Sequence, residues 1–128
     1  MKRKILLDTN FLLIPSQFNI DIFEEIDRIM LESYQLYVLD KTIEELKKII
    51  QDKKQKQKNR RAAKLALQLL KAKKIKILKT KEDLPVDDLI IKLKDYIIAT
   101  QDIGLKRQLK AKKIKIITLR AKKTLILM

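Results

Sequence analysis

The stretch Ile5-Leu6-Leu7-Asp8-Thr9-Asn10-Phe11-Leu12-Leu13 constrains the fold more than any other part of this 128-residue chain. Three aliphatic residues run into a polar triplet, and apolar residues resume at once. So short an apolar run, so near the N-terminus, predicts a parallel strand buried on both faces. The triplet then lies where the strand leaves the sheet, the edge at which open α/β sheets bind ligands. Asp8 becomes a carboxylate on a rigid element at that edge. The competing reading is that Asp8 or Thr9 only caps the next helix.

The rest of the chain is consistent with an α/β fold. After the first strand, Ile22, Phe23, Ile26, Ile29 and Met30 recur at helical spacing, which predicts an amphipathic helix over about residues 20–31. Leu36 to Leu39 reads as a second strand, and Asp40 and Thr42 can cap the helix that begins near Lys41. That helix carries Ile43, Leu46, Ile49 and Ile50 on one face. At ~100° per residue, Glu45 falls near the border of this face and Glu44 well outside it, in the favourable order for an exposed pair with Lys48. Residues 51–61 are almost wholly polar and basic, a loop or the exposed start of a helix that is clear from Ala62 to Leu70. Ile75 to Leu78 alternates and reads as an edge strand. Val86 to Ile91 opens a short helix with acids in its first turn. Tyr96 to Thr100 is another buried strand, followed by a helix to about Ala111. Lys115 to Leu119 is a further strand, and Thr124 to Met128 can form one more. The alternation implies an α/β sandwich with a mainly parallel sheet, in one domain over residues 1–128, with no internal repeat.

Composition removes whole classes of chemistry. One Gly and two Pro leave little material for an all-β fold. No Cys excludes a disulfide framework and a thiolate zinc site, and fits the cytoplasm. No His excludes Ser-His-Asp and Cys-His catalysis and imidazole metal ligation. Catalysis must rest on carboxylates, Lys or a hard metal ion. No apolar run reaches the ~18 residues of a membrane span, and Asp8 and Asn10 interrupt the N-terminal run, making it a poor signal peptide. The net charge of +15 is uneven, −3 over residues 1–52 and +18 over residues 53–128. A Lys-rich surface of the heat-adapted kind would raise Asp and Glu as well, and here they do not rise. A polyanionic partner, nucleic acid most simply, accounts for the excess.

Against that basic background the acids stand out. Asp8 and Asp102 each follow a buried strand. Glu45 lies on the helix after the second strand. Asp87 and Asp88 open the helix before the strand that leads to Asp102, and helical spacing does not choose between them. A doubly wound sheet can bring these positions to one edge. Acids so gathered repel one another and call for a cation, and oxygen ligands favour Mg²⁺ or Mn²⁺. Such ions can activate water for displacement at phosphate without histidine.

Read in order, Ile-Leu-Leu-Asp8-Thr9-Asn10, Thr42-Ile-Glu-Glu45-Leu46, Val86-Asp-Asp88-Leu-Ile and Ile98-Ala-Thr100-Gln-Asp102 resemble the four acidic motifs of PIN-domain ribonucleases. The resemblance covers essentially the whole chain. The tail from Leu105 is similar to an archaeal branch related to a eukaryotic small-subunit rRNA-processing nuclease. The resemblance implies a three-layer α/β/α sandwich and metal-dependent cleavage of structured RNA, in rRNA processing. It implies that Asp8, Glu45, Asp88 and Asp102 are catalytic and hold Mg²⁺ or Mn²⁺, with Thr9, Asn10 and Thr100 in support. The family pattern selects Asp88 over Asp87, although the step to Asp102 is about one helical turn short of that pattern. Homodimers are common in the family, and ribosome-assembly partners follow from the branch. The alternatives are a toxin-type ribonuclease held by a small antitoxin and a catalytically silent RNA-binding module for ribosome assembly.

Overall fold

The computed structural model describes residues 2–128. Strand β1 (Arg3–Leu7) is the spine of a six-stranded sheet. A 3-10 turn (Phe11–Leu13), α1 (Ile14–Phe18) and α2 (Ile22–Ile29) lead to β2 (Tyr34–Leu39). Helices α3 (Asp40–Gln51) and α4 (Gln57–Ala72) precede β3 (Lys76–Leu78). Then follow α5 (Val86–Lys92), β4 (Tyr96–Ala99), α6 (Ile103–Ala111), β5 (Ile116–Arg120) and β6 (Thr124–Leu127). The strand order is β3-β2-β1-β4-β5-β6, and every neighbouring pair is parallel except β5 with β6.

Alternation along the central strands divides the core into two layers. Ile5 and Leu7 of β1, Val38 of β2, and Ile97 and Ala99 of β4 face α1 to α4. Leu6, Leu39 and Ile98 face the other way, onto Leu89 and Ile90 of α5 and Leu105 and Leu109 of α6. The result is the α/β/α sandwich expected from the sequence. Ile5, Leu6 and Leu7 have no exposed surface, and burying each side chain stabilises the fold by about 1.5–3 kcal/mol. Ala62, Ala63 and Ala66 are buried on α4, where small side chains let the helix pack closely on α3, α1 and the 3-10 turn. Among the described residues no helix is long and apolar enough to cross a membrane.

Several local details differ from the sequence expectation. The 3-10 turn and α1 fill residues 11–18, which carry no helical period. The basic run is both loop and helix: α3 stops at Gln51 and α4 starts at Gln57. Neither Asp40 nor Thr42 caps α3, whose N-cap is Leu39. Asp40 instead accepts from the Thr80 hydroxyl at 2.8 Å and the Thr80 N–H at 3.1 Å, tying the exit of β3 to α3. Thr42 is buried. Among the described residues no ion pair joins Glu44 to Lys48.

Reversals are made almost without glycine. Asn19, Lys74, Asp95, Lys113, Ala121 and Lys122 all take positive φ. Lys113, at φ 61°, closes α6: its N–H donates to the Lys110 carbonyl, and the Ile114 N–H donates to that of Leu109, both at 3.0 Å. This is the reversal that usually takes glycine, because a Cβ strains the left-handed conformation by about 1 kcal/mol. Lys113→Gly should therefore raise the unfolding free energy by about 1 kcal/mol in urea titration. A loss of stability would contradict this account of the α6 terminus.

Candidate active site

Neighbouring strands β1 and β4 send their chains to opposite faces of the sheet, so a crevice opens at their carboxyl ends. Leu7 and Ala99 are partners in register. The Asp8 N–H then donates to the Ala99 carbonyl at 2.9 Å. This sets Asp8 beside Thr100, and the two are 4% and 0% exposed.

Thr100 is the hub of the site. Its hydroxyl donates to Asp8 Oδ2 at 2.7 Å and accepts from the Asp102 N–H at 3.1 Å. The other Asp8 oxygen accepts from the Thr9 N–H at 2.8 Å. Asp102 caps α6, its Oδ1 accepting from the Leu105 N–H at 2.9 Å. A Cβ on Gly104, the chain's one glycine, would stand 3.3 Å from that same Oδ1, so glycine leaves the capping carboxylate room. Asn10 Oδ1 accepts from the Gln101 N–H at 3.0 Å. Gln101 Oε1 accepts in turn from the Thr118 hydroxyl and the Leu119 N–H, both at 2.8 Å, which fastens the β4 exit to β5.

Helix α3 brings the next carboxylate. The Thr9 hydroxyl donates to Glu45 Oε1 at 3.0 Å and lies 3.3 Å from the Thr42 hydroxyl. Glu44 is exposed and Glu45 half-buried, as the helical phase predicts. Glu45 and Ile49, Val86 and Asp87 of α5, and Leu13 join Asp8 and Asp102 around one open cleft of about 290 Å³. Asp87 and Asp88 are both exposed, and Asp88 lies outside that lining. Asp87 stands one turn before fully buried Ile90, whereas Asp88 stands one turn before half-buried Ile91. Leu89 and Ile90 turn to the sheet, and that rotation points Asp87 rather than Asp88 along the cleft.

The electrostatics follow from this crowding. Burial pushes the Asp8 carboxyl up to about 6, against the hydrogen bonds from Thr100 and Thr9, and the charges of Asp87 and Glu45 push the same way as burial. Asp87 is also raised, first by burial and then by Asp102 and Asp88. The donor set is all oxygen and mutually repulsive, the chemistry that suits a hard divalent cation. With the side chains as placed, no three carboxylates among the described residues stand close enough to hold one ion.

A family model described as a PIN like domain matches residues 5–122. The chain belongs to the PIN-like domain family. Its fold is similar to that of the PIN domain endonuclease Utp24, with a TM-score of 0.78, 23% identity, and coverage of 97% of this chain and 90% of that one. It is also similar to a domain of a functionally unknown protein from Methanocaldococcus jannaschii, with a TM-score of 0.62, 20% identity, and coverage of 93% and 92%. No curated protein sequence matches.

On this PIN-like scaffold Asp8, Glu45 and Asp102 share the cleft, while Asp88 does not. The cleft also has features the sequence did not single out. The apolar wall of Leu13, Ile49 and Val86 left no sequence signal distinct from core.

The raised pKa of Asp8 makes stability depend on pH. A carboxyl raised from 3.8 to about 6 binds its proton more tightly in the folded chain. That stabilisation is complete below the unfolded value of 3.8 and is lost as pH rises through about 6. Asp8→Asn keeps the shape without the charge. In metal-free buffer its stability advantage over wild type should grow between pH 4 and pH 7, by up to about 3 kcal/mol. Denaturant titration at several pH values measures this, and a pH-independent difference would contradict the burial argument.

Proposed function

We propose that this chain is a Mg²⁺- or Mn²⁺-dependent endoribonuclease acting on structured RNA. The observation that carries the reading is the arrival of carboxylates from four separate elements at one cleft on the topological switch point. Asp8, Glu45, Asp87 and Asp102 are the ligands proposed, with Asp87 in the place that the motif pattern gives to Asp88. Membership of the PIN-like family and likeness in fold to an endonuclease support the same reading.

A divalent ion held there supplies a Lewis acid for a phosphate oxygen and lowers the pKa of a water molecule. The chain's own groups prepare that chemistry. Hydrogen bonds to both Asp8 oxygens stop this carboxylate from turning away, and the α6 cap does the same for Asp102. Thr9 steadies Glu45. Asp87 lies at the exposed rim of the cleft, open to solvent and to substrate. The basic second half balances the phosphates of RNA. On the motif resemblance we assign the activity to rRNA precursors, in the cytoplasm, with ribosome-assembly partners and a homodimeric state. A catalytically silent RNA-binding module is the second reading. The spacing of the carboxylates favours it, since no three of them close on one site.

The test is Mn²⁺-dependent cleavage of a structured RNA by paired variants. Glu45→Gln and Asp87→Asn should each slow cleavage by roughly 100-fold or more, while Glu44→Ala and Asp88→Asn should stay within a few-fold of wild type. Loss of cleavage in Asp88→Asn with activity kept in Asp87→Asn would return the third ligand to Asp88. Wild type that binds RNA but cuts none would establish the silent module.

A further inference from the structure

Residues 53–81 contain 13 Lys and Arg and not one Asp or Glu. This segment begins just past the cleft. Helix α3 gives Glu45 and Ile49 to the cleft lining and ends at Gln51. The loop to α4 follows, and Arg60 of α4 donates from Nε to the Ile50 carbonyl at 3.0 Å, holding the start of α4 against the end of α3. From there Lys58, Arg61, Lys64 and Lys71 lie exposed along one side of a helix whose opposite side is the buried alanine face. At about 1.5 Å per residue the stripe runs roughly 20 Å along the helix. Exposed Lys74, Lys76, Lys79 and Lys81 extend it past the edge strand β3.

Nothing within the fold accounts for this arrangement. Lys58, Arg61, Lys64 and Lys71 form no ion pair among the described residues. Arg61 and Lys64 are three residues apart, a like-charge spacing that destabilises a helix. The first turn of α4 has no acid and its N-cap, Lys56, makes no side-chain cap. Cations gathered at that end also oppose the helix dipole. By contrast α2 has a capping Asp21, Glu24 and Glu25 in its first turn and Arg28 in its last. One helix follows the electrostatic rules and the other breaks them, which marks a surface kept for a partner rather than for the fold.

We propose that the exposed ridge of α4 and its preceding loop is an RNA-docking surface, separate from the acidic cleft, that holds the phosphate backbone beside the cleft. The residues between the cations are Gln55, Gln57, Asn59 and Gln68, which can hydrogen-bond phosphate and ribose oxygens. No large apolar residue is exposed from Lys53 to Ala72, so the α4 ridge has nothing to insert into a lipid surface, and exposed Ile77 stands beyond it on β3. The inference rests on reading RNA as the substrate. Binding without cleavage tests it, so that either reading can fail alone.

The experiment compares wild type, a ridge variant (Lys58→Gln, Arg61→Gln, Lys64→Gln, Lys71→Gln) and a control variant (Lys110→Gln, Lys115→Gln, Lys122→Gln, Lys123→Gln). A fluorescent RNA with a stem and a single-stranded tail is titrated in EDTA at several salt concentrations. The ridge variant should bind about tenfold or more weakly near 0.1 M salt, with a log–log salt slope shallower by about 3. The control variant should keep most of the affinity. Without RNA, the ridge variant should unfold at or above the wild-type temperature, because it removes unfavourable charge. Equal losses in ridge and control variants would overturn the proposal, and so would a fall in the ridge variant's unfolding temperature. Vesicles of phosphatidylserine and phosphatidylcholine that bind wild type as tightly as RNA through the same residues would overturn it in favour of a membrane. Ridge-dependent binding with no Mn²⁺-dependent cleavage by wild type would leave the docking surface standing and remove only the nuclease.

Discussion

A carboxylate at the end of a strand buried on both faces is the constraint on which this structure turns. Asp8 is carried into the interior because Ile5, Leu6 and Leu7 are wholly buried just before it. Ionising a carboxyl there is unfavourable, and only directed hydrogen bonds or a cation relieve it. The Thr100 hydroxyl and the Thr9 N–H provide the first remedy. Thr100 reaches Asp8 because β4 pairs with β1 and ends level with it, and the same hydroxyl accepts from the backbone of Asp102. Sheet pairing therefore sets the relation between two carboxylates 94 positions apart in the chain.

The molecule separates its charges. The acids of the cleft come from β1, α3, α5 and the start of α6, all at the carboxyl edge of the sheet. Thirteen of the 31 cations lie in residues 53–81, on α4 and the segments around it, with no acid among them. A carboxylate cleft alone repels phosphate, and a basic surface alone binds it without chemistry. Side by side, they suit a polyanion gripped along its backbone and presented to the carboxylate cleft.

Strong apolar runs make the central strands legible in the sequence. β1, β4 and β5 are short, apolar and bounded by polar residues, and the buried sheet needs little more. The alternation of elements gave the layer architecture, and the helical phase of α3 told Glu45 from Glu44. The weaker features have physical reasons for escaping notice. Residues 11–18 form a single 3-10 turn and a five-residue helix, too short for a periodic signal. The β5–β6 reversal uses Ala121 and Lys122 at positive φ, where a reader of sequence looks for Asn-Gly. Which of Asp87 and Asp88 faces the cleft depends on which of two adjacent isoleucines is core. Ile90 and Ile91 are chemically alike, and only packing against the sheet shows that Ile90 is buried and that Asp87, one turn earlier, follows it toward the cleft.

The central claim is that the cleft between β1 and β4 is a divalent metal site. Crystals soaked in Mn²⁺ and measured at its absorption edge test it most directly. The account predicts an anomalous peak in the cleft, bounded by Asp8 and Asp102, with Asp87 closer to it than Asp88. Manganese bound only elsewhere on the surface, with Asp8 still held by Thr100 and Thr9 and no peak beside it, would contradict the account.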